Sequence, residues 1–204
     1  MHSTVSHRRE NTDDRRRAIA LAARQLIVEK GFEGLRTRDI AQRVGINIAT
    51  LHYHVPSKEA LIELVAQSMQ QDFKDQALRR PRQHLPPLRQ LHMEFEDFRE
   101  TMLDTPDLVV IFSELQDRGR RDPRIDALMR PSHDIWIGMV EEIYRLGVAD
   151  GSFRPDLDPV AAATLTTGAL FDFWRRTPRD LAAYDRLAAE LERAVVNSFR
   201  SQKD

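Results

Sequence analysis

The sequence predicts an all-α protein of about nine helices, and three observations support this. Apolar residues recur every three or four positions in almost every segment, as they do along one face of a helix. Glycine, proline and cap residues punctuate these segments where helices are expected to begin and end. No run of alternating β-branched residues competes with them, so no strand is expected.

The composition fits a soluble protein and excludes several kinds of chemistry. The 204 residues are 41% apolar and 31% charged, which allows a substantial core. There is no cysteine, which excludes disulfides, thiolate metal sites and a cysteine nucleophile. No apolar run approaches the roughly 18 residues that cross a bilayer, and the N-terminus lacks the apolar core of a secretory signal. We therefore expect a cytoplasmic protein with no membrane partner and no cofactor.

The charges are distributed unevenly along the chain. Residues 1–57 carry ten Lys and Arg against six Asp and Glu, whereas residues 58–204 carry 21 against 26. A basic segment on an acidic body is typical of a protein whose N-terminal part binds a polyanion. A solvated basic tail would give the same pattern, so charge alone leaves both interpretations open.

Two longer helices frame the N-terminal part. The first is predicted over 13–30, before Gly31, which suits the left-handed position that follows a helix. Ser57 is a candidate N-cap for the other, a connecting helix over 58–80. The proline-rich stretch 81–87 then marks the clearest boundary in the chain.

Two short helices are predicted between them, over 38–44 and 48–54. Thr37 is a candidate N-cap for the first, and Gly45 ends it. Asn47 is a candidate N-cap for the second. Two short helices joined by a brief turn that contains glycine form the helix-turn-helix pattern.

Roughly five further helices are predicted after the boundary. Asp122-Pro123, Asp158-Pro159 and Thr177-Pro178 each place a cap residue before a proline at the first helical position. Pro131 is expected to kink or split the helix over 123–149.

The second short helix carries side chains that suit a DNA groove. Its open side has small, hydroxyl-bearing and imidazole-bearing residues: Ile48, Ala49, Thr50, His52, Tyr53 and His54. Small groups permit close approach to the major groove, and polar groups reach base edges and phosphates. Lys58 can add a phosphate contact. Ile48 either touches a thymine methyl or is a core residue, and the sequence leaves both open.

His52 and His54 do not suggest a metal site or a catalytic pair. Residues i and i+2 of a helix point about 200° apart, so the two imidazoles cannot readily chelate one ion. Catalysis would need a nucleophile and an orienting acid within reach, and the local sequence supplies neither. We therefore predict no metal site and no enzymatic activity.

Residues 29–61, EKGFEGLRTRDIAQRVGINIATLHYHVPSKEAL, resemble the DNA-binding motif of the TetR family of bacterial transcription repressors. The best match spans Thr37–Leu61, at Thr37, Gly45, Ile46, Thr50, Leu51, His54, Val55 and Lys58. The resemblance implies a three-helix DNA-binding bundle, a larger C-terminal helical domain and a homodimer on a palindromic operator.

The resemblance also implies roles for individual residues. It places Thr37, Tyr53, His54 and Lys58 at phosphates. It places Arg38, Ile48, Ala49, Thr50 and His52 at base edges. His52 stands where tyrosine is more usual, and Ile48 stands where a polar residue is common, so the operator sequence does not follow from the resemblance.

The last two predicted helices, over 159–175 and 178–200, are the expected dimer face. Two such helices from each of two chains would form a four-helix bundle. The candidate interface residues are Leu165, Gly168, Ala169, Leu181, Tyr184, Leu187, Leu191, Val195 and Phe199. The same spacing would also suit the core of a monomer.

Large, pliable side chains with a few polar groups suggest a pocket in the C-terminal part. The candidate ligand-binding residues are His92, Phe95, Phe98, Met102, Phe112, Met129, His133, Trp136, Met139, Thr167, Phe171 and Trp174. A small apolar or amphipathic ligand would suit them. Such residues at helical spacing could instead be ordinary core.

Together these features predict a cytoplasmic, homodimeric repressor that a small ligand releases from its operator. We expect a flexible basic tail over 1–12, a helix-turn-helix domain over 13–57, and a ligand-binding and dimerisation domain over 58–204. Two alternatives remain open: a DNA-binding regulator with no small-molecule inducer, and a helical ligand-binding protein or enzyme with a vestigial helix-turn-helix.

Overall fold

A computed structural model describes residues 3–176 and 180–196, with side chains from residue 12 onward. Within those ranges the chain forms nine α-helices and no strand, which confirms the predicted fold class. The helices are α1 (Ser3–Gly34), α2 (Thr37–Val44), α3 (Ile48–His54), α4 (Lys58–Arg79), α5 (Pro87–Asp104), α6 (Pro106–Gly119), α7 (Pro123–Asp150), α8 (Pro159–Arg176) and α9 (Leu181–Val195). None of these helices combines the length and apolar character that a membrane crossing requires.

The chain divides into two compact units. The first unit comprises residues 1–75 and 110–129, and the second comprises 76–109 and 130–204. The helix-turn-helix therefore shares a unit with most of α4, with most of α6 and with the start of α7. The functional division at residue 57 stays a prediction.

The first helix begins earlier than expected. α1 starts at Ser3, inside the segment 1–12 that was predicted to be a flexible tail, rather than at Asp13. No glycine or proline precedes Gly31, so nothing in the sequence obliges the helix to start later. Gly31 itself leaves the helical path at φ 68°, which confirms the predicted turn.

Local signals place α2, α3 and α4 as expected, with one correction. Gly45 ends α2 at φ 72°, and the Asn47 side chain accepts the Thr50 N–H at 2.7 Å. Ser57 accepts the Ala60 N–H at 3.1 Å. Thr37 is not an N-cap: it is already the first helical residue, and the cap position is Arg36, without a side-chain hydrogen bond.

The later helices begin at the expected caps. Asp122 Oδ1 accepts the Arg124 N–H at 3.0 Å, and Asp158 Oδ1 accepts the Val160 N–H at 3.0 Å. Thr177-Pro178 lies outside the described residues, and α9 instead follows Asp180, which accepts the Ala183 N–H at 2.9 Å.

Pro131 does not split its helix: α7 runs without interruption from Pro123 to Asp150. A proline removes one hydrogen bond, to the carbonyl four residues earlier. That residue, Ala127, is exposed, so water can satisfy the freed carbonyl.

Candidate nucleic-acid interface and ligand-binding core

The buried face of α3 fixes which side of the helix faces outward. Leu51 is only 1% exposed, and Val55 just after the helix is also buried. Ile40 and Ala41 of α2 are buried as well, in the same unit. Because α3 has only seven residues, this one apolar anchor turns the rest of its surface to solvent.

The predicted DNA-binding residues lie on that outward surface and at two neighbouring helix starts. Thr37 and Arg38 open α2, the α3 residues follow, and Lys58 opens α4. Seven of the nine are exposed, and Thr50 and His54 are half-buried. Tyr53 is 75% exposed, and its ring meets the His54 ring edge-on at a centroid distance of 5.1 Å.

Ile48 is a surface residue, which decides between its two interpretations. Its side chain is 40% exposed at the first position of α3. This exposure speaks against a core role, and the contact with a thymine methyl group stays a prediction.

Two ion pairs tie α2 to α1. Lys30 Nζ lies 2.7 Å from Asp39 Oδ2, and the Arg43 guanidinium donates to both carboxylate oxygens of Glu29 at 2.8 Å. The hydrogen bond from Lys30 lowers the pKa of Asp39, so this carboxylate stays ionised at neutral pH. Such exposed pairs add little stability, but both of them connect α2 to the C-terminal part of α1.

The C-terminal end of α3 is held by an arginine of α1, in a contact that sequence reasoning did not identify. Arg16 of α1 donates an Nη1 hydrogen bond to the carbonyl oxygen of His54 at 2.9 Å. Partial burial lowers the pKa of His54, and the positive charges of Arg16 and Arg15 lower it further. His54 is therefore neutral at pH 7, and its imidazole can offer a phosphate a hydrogen bond but no charge.

α6 also contacts the end of α1, through residues that the sequence does not indicate as partners. Arg118 forms an ion pair with Glu33, and its Cζ lies 4.7 Å from the centre of the Phe32 ring. Both partners follow Gly31, in the segment that leads into α2. A cation over an aromatic face adds to the ion pair at this junction.

In the second unit, six of the twelve candidate ligand-binding residues gather in one apolar core: Phe95, Phe98, Met102, Trp136, Phe171 and Trp174. Phe98 is central among their rings. Its centroid lies 6.2 Å from that of Trp136 and 5.1 Å from that of Trp174. A third ring, that of Tyr184, is stacked on Phe98 at 5.9 Å.

The other six candidates do not belong to that core. Phe112 and Met129 lie in the first unit, where Phe112 contacts Phe73 at a centroid distance of 6.4 Å. Met139 is exposed, and His133 is half-exposed beside Asp134. His92 Nε2 lies 3.1 Å from Glu192 Oε2, and Thr167 is buried with its hydroxyl on the Ala163 carbonyl at 2.8 Å.

A buried carboxylate borders the aromatic core. Glu94 accepts the Trp136 Nε1 hydrogen bond at 2.6 Å and an Arg82 hydrogen bond at 3.0 Å. Arg82 also pairs with Asp97, which accepts from Arg80 at 2.5 Å. Burial raises the pKa of Glu94, while Trp136 and Arg82 oppose that rise. Glu94 lies three positions after Leu91 and four before Phe98, so it shares their helical face. This spacing was a sequence signal that its carboxylate would be buried.

The candidate dimer residues divide into two groups. Leu165 is 70% exposed and Gly168 is exposed, whereas Ala169, Leu181, Leu187 and Leu191 are half-buried. Tyr184 and Val195 are buried in the core of their own chain, and the Tyr184 hydroxyl donates to the Phe95 carbonyl at 2.6 Å. These two side chains are not available to a second chain. Phe199 lies outside the described residues.

Comparisons with known proteins support this interpretation of the first unit. The family model described as "Bacterial regulatory proteins, tetR family" matches residues 19–65, which include all nine candidate DNA-binding residues. The HTH-type transcriptional repressor KstR2 of Mycolicibacterium smegmatis is 32% identical over 151 residues, covering 71% of this chain and 70% of that protein.

Solved structures share the fold over nearly the whole chain. The ketosteroid transcriptional regulator KstR2 of Mycobacterium tuberculosis superposes with a TM-score of 0.70 at 21% identity, covering 90% of this chain and 96% of that one. A transcriptional regulator from Saccharomonospora viridis in complex with choline superposes with a TM-score of 0.78 at 24% identity, covering 91% of this chain and 99% of that one. With the outward surface of α3 and the match to a repressor, these findings show that the chain belongs to the TetR family and is a DNA-binding transcriptional repressor.

Proposed function

We propose that this repressor is a homodimer that binds a palindromic operator and leaves it when a small ligand binds to the second unit. The observation that carries the DNA part is the outward surface of α3, whose exposed residues include Tyr53 and Ile48. Both side chains are exposed to solvent rather than buried in the core of their unit. They suit a surface that DNA covers.

Contacts with DNA divide into positioning and reading contacts. Thr37, Tyr53, His54 and Lys58 hold phosphates through hydroxyl, imidazole and ammonium groups. Base edges are read by Arg38, Ile48, Ala49, Thr50 and His52. His52 is exposed in the middle of α3, so its imidazole is a principal determinant of sequence preference.

The dimer forms on the outer face of α8. Val160 and Leu165 are 56% and 70% exposed, and Ala161 and Gly168 lie on the same face. A Cβ at Gly168 would meet no other atom, so another helix can approach its backbone closely. An isologous pairing through this face gives the two-fold symmetry that a palindrome requires, with α3 helices about 34–36 Å apart.

The ligand binds among the rings around Phe98, beside the carboxylate of Glu94. An apolar site with few polar anchors is the usual form of a small-molecule site, and a small apolar or amphipathic ligand suits it. The ligand favours a dimer whose recognition helices no longer match the operator spacing. A hundredfold loss of operator affinity needs a coupling free energy of about 2.7 kcal/mol.

Fluorescence anisotropy with the DNA that flanks the reading frame tests the operator claim. Specific binding should weaken as salt rises, and a scrambled duplex of the same length is the control. Equal affinity for both duplexes, or binding that salt does not affect, would refute sequence-specific recognition. Small molecules that release the labelled duplex then identify the ligand class.

A second candidate is a regulator with no small-molecule inducer. The observation that favours it is the contact of Phe98 with three rings at 5.1 to 6.2 Å, because closely packed rings leave little room for a ligand. Calorimetric titration with the substrates and products of enzymes encoded by neighbouring genes separates the two candidates. A saturable heat with release of DNA excludes the second candidate.

A further inference from the structure

We propose that Arg16 is a positioning residue for DNA reading: from α1 it holds the C-terminal end of α3 in place without itself contacting DNA. Its Nη1 donates to the carbonyl oxygen of His54, the last residue of α3, at 2.9 Å. The two residues are 38 positions apart in the chain, and the contact is partly buried. It joins the first helix of the bundle directly to the helix that reads the operator.

α3 needs such a partner because its sequence does not provide a normal helix end. The last carbonyl groups of any helix lack intrahelical donors. In α2 the backbone N–H groups of Gly45 and Ile46 both bond back, to the carbonyls of Gln42 and Ala41. In α3 the Val55 N–H bonds back to the Leu51 carbonyl at 2.8 Å, but the next residue is Pro56, which has no N–H to add a second such bond. A donor to the His54 carbonyl therefore comes from outside the helix end.

The chemistry of arginine suits this position. A positive charge at a helix C-terminus is stabilised by the helix dipole, and a charge-assisted hydrogen bond is stronger than a neutral one. The opposite end of α3 is capped by Asn47, through the Thr50 N–H. Both ends of a seven-residue helix are thus fixed by side chains. A helix this short is not stable alone, so the order of its reading surface depends on such contacts.

A positioning role and a phosphate contact predict different salt dependence. Each phosphate that a side chain neutralises adds about 0.9 to the slope of log affinity against log salt. A residue that only orders α3 leaves this slope unchanged while it lowers affinity. The slope therefore distinguishes the two roles.

The chain offers a matched control in Arg17, the exposed neighbour of Arg16. Arg16→Met and Arg17→Met remove the same charge from the same turn of α1. We expect Arg16→Met to raise the Kd for the upstream DNA duplex about tenfold more than Arg17→Met does, with equal salt slopes for the two variants between about 50 and 300 mM NaCl. Arg16→Lys keeps a charged donor and should recover part of the affinity. A slope that falls by about 0.9 in Arg16→Met alone would mean a phosphate contact and overturn the proposal.

A second measurement needs no DNA, so it is independent of operator binding. Hydrogen–deuterium exchange of the backbone amides of 50–55 should be faster in Arg16→Met than in the wild type, and unchanged in Arg17→Met. Arg16→Lys provides the same comparison if Arg16→Met does not fold. Unchanged exchange in both Arg16 variants refutes the proposal.

Discussion

The indole of Trp136 in α7 donates its Nε1 hydrogen to the buried carboxylate of Glu94 in α5, at 2.6 Å. This contact joins the aromatic core to the ionic cluster of Arg80, Arg82 and Asp97. Removal of the carboxylate would leave Arg82 with one buried partner fewer. The contact therefore matters for stability as well as for the proposed ligand site.

Glu94→Ala should lower the free energy of unfolding by about 3 kcal/mol, because it breaks a buried ion pair and leaves a donor unsatisfied. Equilibrium urea unfolding followed by circular dichroism measures this. Glu96→Ala is the matched control: Glu96 is also paired, with Arg80 and Arg89, but its side chain is 42% exposed. It should cost less than about 1 kcal/mol. Equal costs for the two variants would contradict the prediction.

Ile48→Ala and Leu51→Ala separate the two faces of α3. Leu51→Ala should cost about 2 to 5 kcal/mol of stability, because it opens a cavity in the bundle. Ile48→Ala should cost less than about 1 kcal/mol, because its side chain is on the surface, yet it should weaken operator binding. Urea unfolding and anisotropy on the same preparations check both. A large loss of stability in Ile48→Ala would speak against a DNA-facing position.

Lys58→Ala should weaken binding to every duplex and lower the salt slope by about 0.9, as expected for the loss of one phosphate contact. His52→Gln should instead change which sequences are preferred, because His52 is assigned to a base edge. Selection from a randomised operator pool measures preference. An equal loss of affinity for all sequences in His52→Gln, with the preference unchanged, would mean that His52 contacts a phosphate rather than a base.

Leu165→Glu should dissociate the dimer, because it places a charge in an apolar helix–helix interface. Sedimentation analysis at several concentrations measures the dissociation constant. Leu78→Glu is the control, since Leu78 is 77% exposed on α4, outside the proposed interface. A Leu165→Glu dimer as tight as that of the wild type would exclude this face of α8.

His54 gives a pH prediction. Its pKa is lower in the folded chain than the ordinary value of 6.5, so the unfolded chain binds a proton first as pH falls. Stability due to His54 is therefore present above pH 6.5 and lost below it. As pH is lowered from 7.5 to 5.5, the wild type should lose stability relative to His54→Gln. Urea unfolding of both proteins at each pH measures this difference. A difference that does not change with pH would contradict this.

Short-range signals made the DNA-binding unit predictable from sequence. Gly45, Asn47 and Ser57 act on backbone groups within a few residues, so their effects can be derived from their neighbours in the chain. Contacts between distant residues could not be predicted in this way. Nothing near Arg16 or His54 in sequence indicates that the two meet, and Arg118 and Phe32 are still farther apart in the chain.

The C-terminal helices show the limit of periodicity. The spacing of Leu181, Tyr184 and Val195 correctly indicates a buried face of α9, but it does not say what covers that face. In the structure the same chain covers it, so Tyr184 and Val195 are core residues. The ligand candidates have the same limit, since Phe112 has the right chemistry but lies in the other unit.

Both tryptophans of the chain, Trp136 and Trp174, lie in the second unit beside Phe98, and the first unit has none. Tryptophan fluorescence therefore reports on the second unit and not on the helix-turn-helix, whereas far-ultraviolet dichroism detects helices in both units. Two unfolding curves recorded on one sample would reveal whether the units melt together. Coincident midpoints would mean that the DNA-binding unit and the aromatic core form one cooperative system, and separate midpoints would mean that either can lose its order alone.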